Sequence, residues 1–357
     1  MNNEATATTE PVNVDTILSI RNIHTYFYTV MGISRALNGV SLDVPAGKVM
    51  GVVGESGCGK SVTMLSAMRL VLPPGKIVKG DIILNRLQKT NGGFKLREEI
   101  NITQLEAHGP QMRSIRGGEM AMIFQEPMTS LNPSYTIGNQ IMEAILLHQQ
   151  VDEAEARTRA INILRRVEMS NPESVVDRYP HQLSGGMRQR AMIAMGLSCT
   201  PAILVADEPT TALDVTTEAE ILQLMRELQE EMGMTIIFIT HNLGVVAQMC
   251  DNVSVMYLGR VVEEASIDDT FYNPQHPYTK ALLNSIPRIG SRSKKRLEPI
   301  KGVVPDPYAQ ITGCPFYPRC TSFMAGKCDK QVPAMVSVGE NQKARCFLYT
   351  DEVEADE

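Results

Sequence analysis

The sequence predicts an α/β protein organised around a parallel sheet, extended at its C-terminal end by a smaller Pro- and Cys-rich module. Three observations carry this reading. Apolar strand-like runs at residues 49–53, 202–205 and 235–239 alternate with helical periodicity at residues 61–72 and 217–231, and such alternation yields parallel strands joined by crossover helices. The first run ends in a glycine-rich loop, residues 54–61, that opens straight into a helix. After about residue 262 the texture changes: Pro274, Pro277, Pro287, Pro305, Pro307, Pro315 and Pro318 crowd one region, and residues 291–296 form a basic run.

Length and charge bound the possibilities. A chain of 357 residues has room for one large domain and a smaller one, and 43% hydrophobic with 21% charged residues excludes a disordered or fibrous protein. A formal net charge of -6 argues against wrapping a nucleic-acid backbone, so no nucleic-acid partner is expected. The longest stretch free of formal charge, residues 232–250, is interrupted by Thr235, Thr240, His241, Asn242 and Gln248, so it does not cross a bilayer alone. The first ten residues carry neither a basic nor an apolar segment of a leader, and a cytosolic location is expected.

Residues 1–15 are small and polar and are expected to be flexible. Residues 18–23 and 40–44 alternate as strands, and Pro45, Ala46 and Gly47 turn the chain into the apolar run that precedes the loop. Residues 85–95, with Gly92 and Gly93, read as a hairpin or a solvated insertion. Residues 141–169 are helical in pattern, and a further short helix is expected at residues 278–284. No repeat of solenoid or propeller length is present.

The loop G-E-S-G-C-G-K-S (Gly54, Glu55, Ser56, Gly57, Cys58, Gly59, Lys60, Ser61) fits the phosphate-binding pattern G-x-x-x-x-G-K-[ST], and Val62 continues it into the helix. Glycines let backbone N–H groups turn toward phosphate oxygens, Lys60 reaches the β- and γ-phosphates, and the Ser61 hydroxyl suits Mg²⁺. Cys58 reads either as a tolerated side chain pointing away from the phosphates or as an oxidation-sensitive thiol beside a helix start. At the end of the apolar run A-I-L-V-A-D-E, Asp207 is placed to hold Mg²⁺ and Glu208 to orient or deprotonate the attacking water. Taken alone, the two acids would serve equally as helix caps before Pro209.

L-S-G-G-M-R-Q-R, residues 183–190, supplies a second set of glycine N–H groups at a helix start, far from the first. With this string the sequence resembles the ATP-binding subunits of ABC transporters over roughly residues 18–265. The resemblance implies the ABC-type P-loop fold: a RecA-like core with an antiparallel β subdomain and a helical subdomain at about residues 126–195, all within residues 16–265. It implies that Ser184, Gly185 and Gly186 close on ATP held by the P-loop of a second subunit. It also implies that Gln125 in M-I-F-Q-E-P is the Q-loop residue, a further Mg²⁺ ligand and the link to the helical subdomain; that residues 212–214, ending in Asp214, form the D-loop; and that His241 in F-I-T-H-N steadies the γ-phosphate and water. The adenine-stacking aromatic aligns with Phe27, with Tyr26 and Tyr28 adjacent; all three also suit the core of a strand.

Residues 273–287 and G-C-P-F-Y-P-R-C at 313–320 resemble the C-terminal extension of oligopeptide and dipeptide importer ATPases, which sets residues 266–357 apart as a second module without phosphate chemistry of its own. His276 and Tyr278 are expected there as structural or interface residues. Cys314, Cys320, Cys328 and Cys346 give C-x₅-C-x₇-C-x₁₇-C, and four soft ligands suit a tetrahedral zinc or a [4Fe–4S] cluster; spacing alone leaves both open, along with unligated thiols. The resemblance favours the cluster, since some importer ATPases of this type carry one. It further implies a D-type ATPase subunit on the cytoplasmic face of the inner membrane. Its partners would be a related F-type ATPase chain, two permease subunits and, indirectly, an extracytoplasmic peptide-binding protein. A nickel-chelate, glutathione or short-sugar importer, or a soluble ABC ATPase acting on ribosomes or iron–sulfur assembly, are the other readings.

Overall fold

The computed structural model describes residues 15–90, 93–125, 130–211, 213–285, 300–306, 308–309 and 311–354. Most of the expected flexible N-terminus, the basic run at 291–296, Pro287, Pro307 and Ala212 lie outside the described residues. The strands, in chain order, are β1 (Thr16–Thr29), β2 (Gly32–Pro45), β3 (Val49–Val53), β4 (Gly75–Thr90), β5 (Gly93–Asn101), β6 (Met120–Ile123), β7 (Ile203–Asp207), β8 (Thr235–Thr240), β9 (Asn252–Tyr257), β10 (Arg260–Ser266), β11 (Val336–Gly339) and β12 (Gln342–Ala344).

They form two sheets. An antiparallel sheet has the order β2-β1-β4-β5, and a larger one the order β11-β12-β10-β9-β3-β8-β7-β6. The centre of the larger sheet, β9-β3-β8-β7-β6, is parallel throughout. Its middle strands are apolar on both faces because both faces are covered. In β3, Val49 and Val53 join one core while Met50 and Val52 join the other; in β8, Ile236 and Phe238 divide in the same way from Ile237 and Ile239. One core takes in the helical segment and the other the antiparallel sheet.

Register places the site. Val53 stands opposite Thr240, Asp207 opposite Ile239, and Ile123 opposite Ala206. The loops that follow β3, β6, β7 and β8 therefore begin abreast at one edge of the sheet, where ligands of parallel sheets collect. Residues 54–59, Gln125, Glu208 and His241 all lie in these loops, and Lys60 and Ser61 open the helix that follows the first.

Two helical expectations change in extent. The helix after the glycine-rich loop is Lys60–Ala67, not residues 61–72: Arg69 takes a left-handed φ of 54° and the Leu70 amide reaches back to the Leu65 carbonyl. The long pattern at 141–169 is two helices, Ile137–His148 and Glu153–Arg166; Asp152 starts the second by accepting from the Glu155 amide. The polar stretch near residue 90 does form a hairpin, β4 with β5.

The C-terminal segment joins the main sheet. The β11–β12 hairpin pairs with β10, Glu263 standing opposite Ala344. Glu263 is fully buried, and its carboxylate accepts from the Gln275 and His276 amides and from Gln342 Nε2, binding strand, hairpin and the start of helix Pro277–Asn284 together.

Candidate nucleotide site and a four-cysteine pocket

The glycine-rich loop adopts backbone that its glycines alone permit. Gly54 has φ 153°, and a Cβ there would lie 2.2 Å from the Met256 carbonyl oxygen. Helix Lys60–Ala67 begins at Gly59 with no side-chain cap and no acid in its first turn, so its N-terminal amides stay available to an anion. Lys60 is buried, and its Nζ donates to the Gly54 and Glu55 carbonyls at 2.9 and 3.2 Å, closing the loop on itself. Ser56 and Gly57 are exposed, Ser61 and Val62 half-buried. Cys58 turns into the core: it is 3% exposed, and burial pushes its thiol up, which disfavours the reactive thiolate.

Three loops converge on one carboxylate. Glu208 Oε1 lies 2.9 Å from His241 Nδ1, while its Oε2 accepts from Gln125 Nε2 at 2.9 Å and from the Thr211 hydroxyl at 3.1 Å. Glu208 stands at a left-handed φ of 47°, anchored by its amide on the Ile239 carbonyl. Burial would raise its carboxyl, but the His241 and Thr211 hydrogen bonds and the charges of His241 and Lys60 outweigh it, and Glu208 titrates below the ordinary range. Asp207, one residue earlier and buried, behaves oppositely: burial raises it, with the Ser61 hydrogen bond pulling the other way. Two of the three expected Mg²⁺ ligands, Ser61 and Asp207, thus lie close together, one just after β3 and one at the end of β7.

The remaining expected residues take positions of their own. Ser184 caps helix Gly185–Leu197 by accepting from the Met187 amide, and a Cβ on Gly185 would meet nothing within 4 Å. Gly186 instead lies against Thr217, where a Cβ would approach a methyl carbon to 2.8 Å. Asp214 caps helix Val215–Met232 through the Thr216 and Thr217 amides. Phe27 is half-buried near the end of β1 with its ring over Gly75; Tyr26 bonds Asn38, and Tyr28 is exposed.

The model of the ABC transporter family matches residues 37–211, and that of the oligopeptide/dipeptide transporter C-terminal region matches residues 262–328. The oligopeptide transport ATP-binding protein AppD of Bacillus subtilis is 46% identical over 95% of this chain and 98% of its own. The chain belongs to the ABC transporter ATP-binding family. The dipeptide transport ATP-binding protein DppD of the same organism is 44% identical over 96% of this chain and 97% of its own. Among solved structures, the dimeric ATP-binding cassette MJ0796 in a post-hydrolysis state bound to ADP and Pi superposes with a TM-score of 0.58 and 26% identity, covering 70% of this chain and 98% of that one. ABC ATP-binding subunits hydrolyse ATP, and this one is accordingly an ATPase with the ABC cassette fold.

In this ABC subunit the four C-terminal cysteines, far apart in sequence, line a single small pocket with about 10 Å³ of free space, together with His276, Phe316 and Phe347. All are free thiols. The Ser322 amide, two residues beyond Cys320, donates to the Cys320 sulfur at 3.4 Å. Burial pushes Cys314 up to about 12, with the other three thiols adding to the rise. Burial drives His276 down to about 3, so its ring is neutral, and Nδ1 accepts from the Tyr278 amide. Among the described residues no three His, Cys, Asp or Glu side chains stand close enough to hold one metal ion.

The sequence did not expose the link between this pocket and the glycine-rich loop. Arg319, one residue before Cys320, donates from Nη1 to Glu55 Oε2 at 2.6 Å and from Nη2 to Oε1 at 3.0 Å. The Glu55 amide donates to the Tyr278 hydroxyl at 2.9 Å. Glu55, expected among the phosphate-cradling residues, thus has both its amide and its carboxylate engaged by the C-terminal segment. Only the Arg-Cys juxtaposition in C-P-F-Y-P-R-C hinted at a role for Arg319, and nothing nearby named its partner.

Proposed function

We propose that this chain is the ATP-hydrolysing subunit of an importer for di- and oligopeptides. In this reading it is a peripheral subunit on the cytoplasmic face of the inner membrane, pairing with a related F-type ATPase beneath two permease subunits that receive cargo from an extracytoplasmic peptide-binding protein. The observation that carries the catalytic half is the convergence of Gln125, Thr211 and His241 on Glu208 at the end of β7. A carboxylate held ionised there accepts a proton from water as the water oxygen bonds the γ-phosphorus; the bond to the β-bridging oxygen breaks, and ADP leaves. His241 steadies Glu208 and the water, and Lys60 faces the phosphates. The Ser61 hydroxyl, Asp207 and the Gln125 carboxamide form an all-oxygen donor set that suits Mg²⁺, which when bound neutralises charge on the β- and γ-phosphates.

The partner assignments rest on surfaces. Gly185 is open, as closure on the nucleotide of a second subunit requires, and Ser184, Gly186 and Asp214 flank the same face in the family reading. Phe27 would stack on adenine. No helix among the described residues is long and apolar enough to cross a membrane, so spanning subunits must come from elsewhere. An open groove lined by Phe124, Tyr135, Leu146 and Leu147, each exposed, adjoins Gln125 and offers a permease an apolar foothold. The peptide cargo follows from the names of the relatives and from the C-terminal family match.

The four thiols suit a [4Fe–4S] cluster better than a single zinc. They face one pocket without converging on a single-ion position, and Cys320 receives an amide hydrogen bond of the kind that stabilises cluster sulfurs. When bound, such a group ties Cys314, Cys320, Cys328 and Cys346 together and is redox-active.

Two experiments test these assignments. In the assembled transporter, Glu208→Gln should keep ATP binding and lower turnover by about a hundredfold or more; undiminished turnover removes Glu208 as the hydrolytic carboxylate. Protein purified without oxygen should be brown, with about four irons and four sulfides per chain. A colourless protein with about one zinc would replace the cluster by a structural clip.

A further inference from the structure

We propose that Arg319 and Tyr278 are positioning residues of the phosphate-binding loop, and that the four-cysteine pocket sets ATP affinity by holding Arg319 in place. The inference rests on the nucleotide reading above. Its observation is the double grip on Glu55, the second residue of the loop.

One grip is a fork. The Arg319 guanidinium meets the Glu55 carboxylate through two parallel hydrogen bonds of 2.6 and 3.0 Å, while its Nε donates to the Lys301 carbonyl and Nη1 also reaches the Tyr257 hydroxyl. The Arg319 side chain is only 4% exposed, so water scarcely screens the pair. The other grip is the Tyr278 hydroxyl on the Glu55 amide. Tyr278 is itself fully buried, its ring 4.6 Å from that of Tyr257 and 5.3 Å from that of Phe316. The Glu55 carbonyl in turn accepts from Lys60 Nζ, so one residue carries the orientation from the C-terminal segment to the lysine that faces phosphate.

The pocket lies at the base of the fork. Arg319 closes the short turn Tyr317–Arg319, whose ends are fixed by the Tyr317 amide on the Cys314 carbonyl and the Cys320 amide on the Tyr317 carbonyl. Cys314 and Cys320 both face the cavity, and Phe316 between them contributes to its wall as well as to the aromatic cluster under Tyr278. Tying the cysteines together restricts the turn, and a restricted turn presents Arg319 to Glu55 without further ordering when ATP binds. Preorganisation of this kind appears as affinity.

The test is calorimetric titration of the full-length chain, purified without oxygen, with ATP and Mg²⁺, alongside ATPase kinetics of the reconstituted transporter. Arg319→Ala should weaken ATP binding about tenfold, raising KM for ATP while kcat stays within about twofold. Arg319→Lys should recover only part of the loss, because one ammonium cannot supply the fork. Cys320→Ser should weaken binding in the same direction, and combining it with Arg319→Ala should add little. Tyr278→Phe removes one hydroxyl from a buried ring and should cost about threefold, which keeps the test available if Arg319→Ala does not fold. Wild-type binding with unchanged affinity in folded Arg319→Ala, or in Tyr278→Phe should that protein alone fold, overturns the inference and leaves the ATPase reading intact. Failure of the wild-type chain to bind ATP at all would instead overturn the reading beneath it.

Discussion

The proposed hydrolytic centre and the cysteine pocket are both assembled from distant residues, yet they are built on different principles. At Glu208 the contributing loops begin abreast because parallel strands in register end at the same level, so the sheet itself brings Gln125, Glu208 and His241 together. At the pocket, Cys314, Cys320, Cys328 and Cys346 lie outside the strands and meet through turns and a short hairpin added to the sheet edge. A site set by strand register survives the loss of any one side chain as a shape. A site set by turns depends more heavily on whatever ties its residues together.

The largest expected effect breaks the two regions apart. Lys60→Ala removes the buried ammonium proposed to face the phosphates, and ATP affinity should fall by about a hundredfold or more in a calorimetric titration. Content of the proposed cluster per chain should not change, because the Lys60 ammonium donates only to the Gly54 and Glu55 carbonyls of its own loop. The ammonium itself makes no hydrogen bond to the pocket. The pocket bears on the loop through Arg319, whereas the loop lysine does not hold the pocket. Loss of iron in Lys60→Ala would show that the two regions form a single cooperative unit, and the comparison would collapse.

What the sequence made legible follows the same division. The glycine-rich loop, the A-D-E carboxylates and F-I-T-H-N are contiguous strings whose chemistry is local, and strand runs apolar on both faces announce a covered parallel sheet; each could be placed before any coordinates. Helix ends were harder: the periodicity at residues 61–72 continued past Ala67, but a single left-handed residue, Arg69, ends the helix earlier. The C-terminal segment was read as a separate module because its prolines and cysteines differ from what precedes them. Composition says nothing about edge pairing, and the two registered pairs between β10 and β12 were invisible. The Glu55–Arg319 fork spans 264 residues of sequence, and neither residue sits in a motif that names the other.

The smallest effect concerns the pH dependence of hydrolysis and separates the hydrogen-bonded carboxylate from a merely buried one. Burial alone would lift Glu208, as it does its neighbour Asp207, but the His241 and Thr211 hydrogen bonds and nearby positive charge carry it below the ordinary carboxylate range. A base must be ionised to accept a proton, so turnover should hold as pH falls until it reaches this lowered value, and the acid limb should lie below that of an unperturbed glutamate. His241→Ala deletes the strongest lowering partner and leaves the burial in place. Its acid limb should therefore move upward, whatever happens to the height of the profile. The position of half-maximal turnover in the reconstituted transporter, normalised to each variant's own plateau, reads this directly. An acid limb that stays where it was in His241→Ala would mean that another group sets it, and that the 2.9 Å contact between His241 and Glu208 steadies geometry without tuning the base.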